Sequence, residues 1–202
     1  NQVVGNLQKE EIYTFEGGYL LKAPKLKVRA IFYYTQFKNG TDTYSFYYDL
    51  ERNFVNVALT NIDQRHLGGE FAIEGQVLPG FKISAVSALG QNIYTSRQNA
   101  TITLDNSAEI IAQDVTIYSK NFFVANGPQF ANSLGFHYNH SKFFANLYVN
   151  YFDRIFIDIN RIRRTDEAVD LVEPGTELWD KILQQQQMDG QFTVDIFGGT
   201  SF

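Results

Sequence analysis

Two segments of this sequence concentrate side chains suited to molecular recognition. The first is rich in aromatic rings, which suit surfaces where one end of the side chain is in apolar surroundings and the other is hydrated. The second combines three arginines, whose planar guanidinium groups bind anions, with the single tryptophan of the chain. The residues are Tyr44, Phe46, Tyr47, Tyr48, Arg161, Arg163, Arg164 and Trp179. They predict binding of a sugar or an anion. The alternative interpretation is loop packing together with an aromatic girdle at a membrane interface.

The sequence offers no combination of residues that predicts catalysis. Glu70 and Glu74 share one face of a predicted strand, about 13 Å apart at ~3.3 Å per residue, which is too far for either glycosidase mechanism. The three histidines lack the spacing of metal ligands, and there is no nucleophile elbow and no phosphate-binding loop. We therefore predict a protein that is not an enzyme, with no catalytic residues, no metal and no cofactor.

Composition excludes several further classes of protein. Among 202 residues there is no cysteine, which excludes disulfide scaffolds and thiolate metal sites. The net charge of −5 argues against a nucleic-acid partner. An aromatic content of 15% with only 19% charged residues excludes a disordered chain. Because the sequence starts at Asn1 without a methionine or a signal peptide, we expect it to be cut from a longer protein.

Seven segments alternate between apolar and other side chains with a period of two, which is typical of strands with one apolar face. Most are about twice the usual strand length, and they match strands that cross a bilayer at a tilt. The predicted strands are Ile12–Leu21, Leu26–Phe37, Arg65–Val77, Phe81–Tyr94, Gln129–Tyr138, Phe143–Phe152 and Gln191–Phe202. The fold class predicted is all-β, an antiparallel up-and-down meander of about seven long strands, with one short helix in a long loop.

Short and long connections alternate between these strands. Pro-Gly and Asn/Ser sequences favour tight turns in the short ones, whereas connections above about 12–15 residues usually carry function. The short turns are Lys22–Lys25, Leu78–Gly80 and Asn139–Lys142, and the long loops are Lys38–Gln64, Thr95–Pro128 and Asp153–Gly190. Outer-membrane barrels alternate their connections in this way, with turns on one rim and loops on the other.

One helix is predicted in the last long loop, over Thr176–Met188. Thr176 can cap it, and Glu177 lies beside the positive end of the helix dipole. Leu178 and Ile182 share a helical face and are expected to pack onto the mouth of the barrel.

Several stretches of the chain, in this order, resemble the C-terminal barrel of the TonB-dependent outer-membrane receptors of Bacteroidota. They cover most of the sequence. They are Tyr34–Lys38, Asp63–His66 leading into Gly68–Glu70, Ala88–Arg97, Asn121–Val124, Gly127–Gln129, Asn150–Asp153 and Arg163–Thr165.

The resemblance implies that residues 1–202 are part of a transmembrane β-barrel of about 22 strands in the outer membrane, without its plug domain and remaining strands. Such a receptor binds and imports a scarce or large nutrient, a glycan, a siderophore or a similar ligand. The implied partners are the TonB system, through the missing N-terminal part, outer-membrane lipid and a surface lipoprotein. The ligand itself is not identified by the sequence.

Two other classes of protein remain open. One is a soluble β-sheet module that binds carbohydrate or another ligand, and the other is a surface adhesion or structural β-domain. A soluble barrel turns its apolar face inward, whereas a membrane barrel turns it outward. If the chain is a piece of a barrel wall, both edges of its sheet are left unpaired, and the isolated fragment is expected to self-associate.

Overall fold

The computed structural model of this protein describes residues 7–49 and 51–200. Ser201 and Phe202, the end of the last predicted strand, lie outside the described residues. The strands are β1 Glu11–Ala23, β2 Leu26–Tyr48, β3 Asn53–Leu78, β4 Phe81–Tyr94, β5 Gln98–Leu104, β6 Ile110–Ile117, β7 Phe130–His140, β8 Phe143–Asp153, β9 Ile155–Phe156, β10 Gln187–Met188 and β11 Gln191–Thr200. The helices are α1 Asp166–Val169 and α2 Glu177–Leu183, preceded by a 3₁₀ turn at Ile162–Arg164.

Seven of the nine strands in the main antiparallel sheet follow the order β1-β2-β3-β4-β7-β8-β11, and this order confirms the predicted fold class. Each long strand pairs with the next long strand along the chain. The turns 24–25, 79–80 and 141–142 consequently lie at one rim, and the three longer connections lie at the other. Within the described residues, β1 and β11 each pair with one neighbour only, so both are edge strands.

The two sides of the meander differ in chemistry, because residues paired directly across an antiparallel ladder point to the same side. One row crosses all seven strands with only apolar side chains, and we call its side the apolar face. The row is Leu21, Val28, Ile73, Ala85, Leu134, Val149 and Val194. This side is uncovered: Ile196, also on the apolar face, is 77% exposed and Phe192 is 70% exposed.

The opposite side carries the charged and hydrogen-bonding groups, and we call it the polar face. One of its rows contains Lys22, Lys27, Glu74, Ser84, Gly135, Tyr148 and Asp195. The prediction that Arg29, Glu70, Glu74, Asn146 and Asn150 point away from Val28 and its neighbours is confirmed by the same registers.

The first two predicted long loops are wrong, because most of the first and nearly half of the second are strand. β2 and β3 continue past the meander to a turn at 49–52, and β5 and β6 form a further hairpin alongside β3. We call this four-stranded part, 42–48 with 53–60, β5 and β6, the extension. Asn39 and Asn61 have positive φ angles of 56° and 57° at the register shifts where the extension begins. These bulges interrupt the period-two pattern that marks the strands.

The buried core of the chain lies in the extension and not in the meander. Its members come from the extension strands, the adjoining Ile62 and the end of β4. They are Val55, Val57, Leu59, Ile62, Tyr94, Ala100, Ile102, Val115 and Ile117. Tyr94 pairs with Gln64, which belongs to the polar face, so the core lies on the polar side of the sheet. Segments from the two connections that follow β4 and β8 therefore cover the polar face at this rim.

The helix in the last connection is shorter than predicted. α2 ends at Leu183, and Gln187–Met188 instead pairs with Ile155–Phe156 as a small hairpin. The predicted cap is confirmed, since the Thr176 hydroxyl accepts a hydrogen bond from the Trp179 amide at 3.3 Å. The prediction that Leu178 packs against the barrel is wrong: Leu178 is exposed, and the half-buried Trp179 contacts Tyr118 in the segment after β6. None of the helices in the described ranges is long and apolar enough to cross a membrane.

Candidate ligand-binding site

The four aromatic residues proposed from the sequence lie on β2 and alternate between two sides. Tyr44, Phe46 and Tyr48 pack against the buried core, with ring centroids 6.1 Å apart for Tyr44 and Phe46 and 5.8 Å apart for Phe46 and Tyr48. Tyr47 points to the other side, where its ring meets that of Phe54 at 5.5 Å. Three of the four rings therefore stabilise the extension, and Tyr47 is half-exposed on its outer surface.

Arg161 lies inside the protein, beside the core. Its guanidinium donates to Gln98 Oε1 at 3.2 Å, to the Tyr94 hydroxyl at 3.3 Å and to Asp158 Oδ2 at 3.3 Å. Burial alone would lower the pKa of Arg161, but Asp158 and Tyr94 raise it on balance. The charge is thus retained and internally paired, and its role in the structure is to join the last connection to the end of β4.

The other two arginines have different surroundings. Arg163 is exposed. Arg164 donates to the Gln184 carbonyl at 2.8 Å and lies over the Phe122 ring at 5.6 Å, and burial lowers the pKa of its guanidinium. Arg164 therefore ties the end of α2 to the segment after β6, while Arg163 remains available to solvent.

Trp179 lines an open groove between α2 and the segment that follows β6. The groove has a volume of about 770 Å³. The Trp179 ring meets the Tyr118 ring edge to face, with centroids 5.3 Å apart and planes 79° apart. The guanidinium of Arg97 lies over the same Tyr118 ring at 4.7 Å, and Lys120 and Lys181 also line the groove. The arrangement combines aromatic surfaces with positive charge.

The residues that face Trp179 across the groove carry no motif that marks them in the sequence. Arg97 precedes β5 and Tyr118 follows β6, and the hairpin of these two strands brings them together. Ser119 holds this junction, since its buried hydroxyl accepts from the Gln98 amide at 3.2 Å and donates to the Ser96 carbonyl at 3.1 Å. Only the pairing of Gln98 with Ile117 places these side chains next to each other.

Gln185 joins the two walls of the groove through its side-chain amide. Its Oε1 accepts from the Phe123 amide at 2.8 Å, and its Nε2 donates to the carbonyls of Phe123 at 2.8 Å and Ile157 at 3.0 Å. The side chain thus satisfies backbone groups of two segments in the manner of a neighbouring strand. The stacked rings of Phe123 and Phe156, 3.8 Å apart, lie beside it.

Replacing Gln185 with alanine is expected to loosen the groove. Three hydrogen bonds are lost, and part-buried backbone groups of Phe123 are left without partners, so we expect a local destabilisation of about 2–3 kcal/mol. Faster hydrogen exchange at the Phe123 amide would measure it, whereas the Ile157 amide, which donates to the Gln186 carbonyl, keeps its partner. Gln186→Ala is the matched control, because the Gln186 side chain is exposed and only its backbone carbonyl bonds Ile157. Equal exchange rates in the two variants would contradict the assigned role.

A second polar cluster lies on the polar face of the meander. Ser84 Oγ is 2.8 Å from His137 Nε2, and His137 Nδ1 is 2.9 Å from Asn146 Oδ1. Serine hydrolases order their groups in this way, but they also need free N–H donors for an oxyanion. Here β4 is paired on both sides, so its N–H groups are used by the sheet. We therefore assign this cluster a structural role, as part of the hydrogen bonding on the polar face.

Three charged groups on the polar face are paired with each other. Glu74 lies 3.4 Å from Lys27 and 3.5 Å from Lys82, on the neighbouring strands. Across the part of the chain that the structure describes, no three His, Asp or Glu side chains converge in a way that can hold a metal ion.

Comparison with known proteins identifies a fold but no family. No protein-family model matches the chain, and no curated protein matches it. Among solved structures, the copper transporter OprC is similar, with a TM-score of 0.55 and 16% sequence identity, over 96% of this chain and 24% of OprC. The chain thus spans about a quarter of the length of that transporter. At this level of identity the similarity shows the fold alone.

Proposed function

We propose that residues 1–202 form part of the wall of a TonB-dependent outer-membrane transporter that binds and imports a scarce or large nutrient, a glycan, a siderophore or a similar ligand. The observation that carries the proposal is the apolar row from Leu21 to Val194, which crosses all seven strands without a polar side chain. A soluble sheet with this face uncovered would expose far more apolar surface than a monomer tolerates. Outer-membrane barrels turn such a face to lipid.

The connections support the same proposal. Tight turns occupy one rim, and the other rim carries the extension and the last long connection, which fold over the polar face. In a barrel the polar face lines the lumen, so these segments lie over its mouth, where a ligand arrives. The fold shared with the transporter OprC agrees with this arrangement.

The proposal includes the partners and the extent of the barrel. Residues 1–202 supply a third of a barrel of about 22 strands, and a plug domain and the remaining strands complete it. Import then draws on energy from the TonB system through the part outside this chain. Outer-membrane lipid contacts the apolar face, and a surface lipoprotein is a further partner at the rim of the extension.

Single cysteines at adjacent positions of β8 test which face meets lipid. Residues 1–202 contain no cysteine, so Val149→Cys and Asn150→Cys each place one labelling site in this part, on opposite faces of β8, once any cysteine in the rest of the full-length protein is replaced by serine. In the full-length protein reconstituted into vesicles, a fluorophore at position 149 is expected to be quenched several-fold more strongly by a lipid-borne nitroxide than one at position 150.

Equal quenching at the two positions would contradict the membrane assignment. A full-length protein that stays in solution without detergent would do so as well. That second result would favour a soluble β-sheet module that binds carbohydrate or another ligand.

A further inference from the structure

We propose that the groove between Tyr118 and α2 binds a saccharide chain that carries carboxylate groups. The inference deepens the proposed transport function and rests on it, since it names the class of ligand. It is carried by three features of the groove: its aromatic walls, its unpaired positive charges and its rigid attachment.

The aromatic walls suit the faces of sugar rings. Trp179 and Tyr118 meet edge to face at 5.3 Å, and the Arg97 guanidinium lies over the Tyr118 ring, so the Trp179 ring is the one that keeps a face for stacking on a sugar. Both side chains are only half-buried. The volume of about 770 Å³ is within the range of sites that hold drug-sized ligands.

The charges favour an acidic ligand over a neutral one. Three basic side chains, Arg97, Lys120 and Lys181, and two acidic ones, Glu177 and Asp180, line the groove. The groove is therefore more positive than the chain as a whole, whose net charge is −5. Among residues 7–49 and 51–200, none of the three cations takes part in an ion pair. The guanidinium of Arg97, held over Tyr118 at 4.7 Å, can bind a carboxylate with two parallel hydrogen bonds.

The walls are held in place before any ligand arrives. Gln185 and Arg164 tie the chain at the end of α2 to Phe123 and Phe122, and Ser119 holds the junction between Arg97 and Tyr118. Asn121 adopts a positive φ of 70°, and its amide donates to the Tyr94 carbonyl at 2.8 Å. A preorganised site loses less entropy on binding, which favours recognition of a flexible saccharide.

Fluorescence of residues 1–202 tests the proposal directly, because Trp179 is the only tryptophan among them. The full chain in detergent is titrated with tetragalacturonate and, separately, with maltotetraose at constant ionic strength. We expect a saturable change in emission with tetragalacturonate and at least 10-fold weaker binding of maltotetraose. Arg97→Gln and Lys120→Gln should each weaken tetragalacturonate binding about 5–10-fold. Lys142→Gln, at a turn on the opposite rim, should not change it.

Three results would overturn the inference. They are equal affinity for the two saccharides, no change in emission with either, and full displacement of tetragalacturonate by sodium sulfate, which would show that the groove binds any anion. Arg97 and Lys120 are exposed, so their replacement leaves the fold intact, and unchanged emission of the free variants verifies this. Lipid quenching at Val149 is independent of ligand. Quenching without saccharide binding refutes this inference alone, whereas binding by a protein that stays in solution refutes the transport proposal alone.

Discussion

Replacing Val28 with arginine is expected to lower the amount of protein that assembles in the outer membrane. Val28 lies on the apolar face, between Leu21 of β1 and Ile73 of β3, three residues into β2. An arginine that faces lipid costs about 2–4 kcal/mol at the bilayer midplane and less toward a rim, and even part of that cost is large against the stability of a domain. The measurement is the amount of folded protein in outer-membrane fractions, compared with the unmodified sequence.

Ile31→Arg is the matched control for this prediction. Ile31 lies on the polar face of the same strand, opposite Gly18 and Glu70. In the proposed barrel an arginine there faces the lumen and can pair with the Glu70 carboxylate, so assembly should fall much less. Equal loss of assembly in the two variants would show that the faces do not correspond to lipid and lumen.

Residues 1–202 are expected to associate with each other in the absence of detergent. β1 and β11 are exposed along their described lengths, and each leaves one side of its backbone without a neighbouring strand among the described residues. Such edges pair with other chains, and the uncovered apolar face adds a further contact surface. Size-exclusion chromatography with light scattering should show dimers or larger species without detergent and one chain per particle in detergent.

Two lysine variants on the edge strand refine this prediction. Val194→Lys places a charge on the apolar face of β11, whereas Thr193→Lys places one on the polar face. The first should reduce association more than the second, since it disrupts the apolar surface that would be buried between chains. A cooperative monomer of the unmodified chain, without detergent, would refute the prediction and favour a soluble module.

The seven strands of the meander could be predicted from sequence because their information is local. Alternation with a period of two assigns each residue to a face, and the sequences at Pro24, Pro79-Gly80 and Asn139–Ser141 close the short turns. Once the strands follow each other through such turns, their order and their antiparallel pairing follow, and so does the composition of both faces. The cap of α2 at Thr176 is equally local.

The extension could have been recognised in part, because Val55, Val57 and Leu59 alternate as strand residues do. The left-handed residues Asn39 and Asn61 shift the alternation between the meander and the extension, so no continuous pattern joins them. A long connection with an interrupted pattern resembles a loop. The length of β2 and β3 becomes apparent only when their two parts pair in the sheet.

The groove was decided by tertiary structure, because its residues come from three distant parts of the chain. Trp179 and the arginines were identified by residue type, yet the fold uses Arg161 and Arg164 as internal ties and Tyr44, Phe46 and Tyr48 as packing. Arg97 and Tyr118 had no distinguishing pattern. They meet Trp179 because β5 and β6 form a hairpin and Gln185 fixes α2 beside it, and contacts across such sequence distances are set by packing and not by local preference.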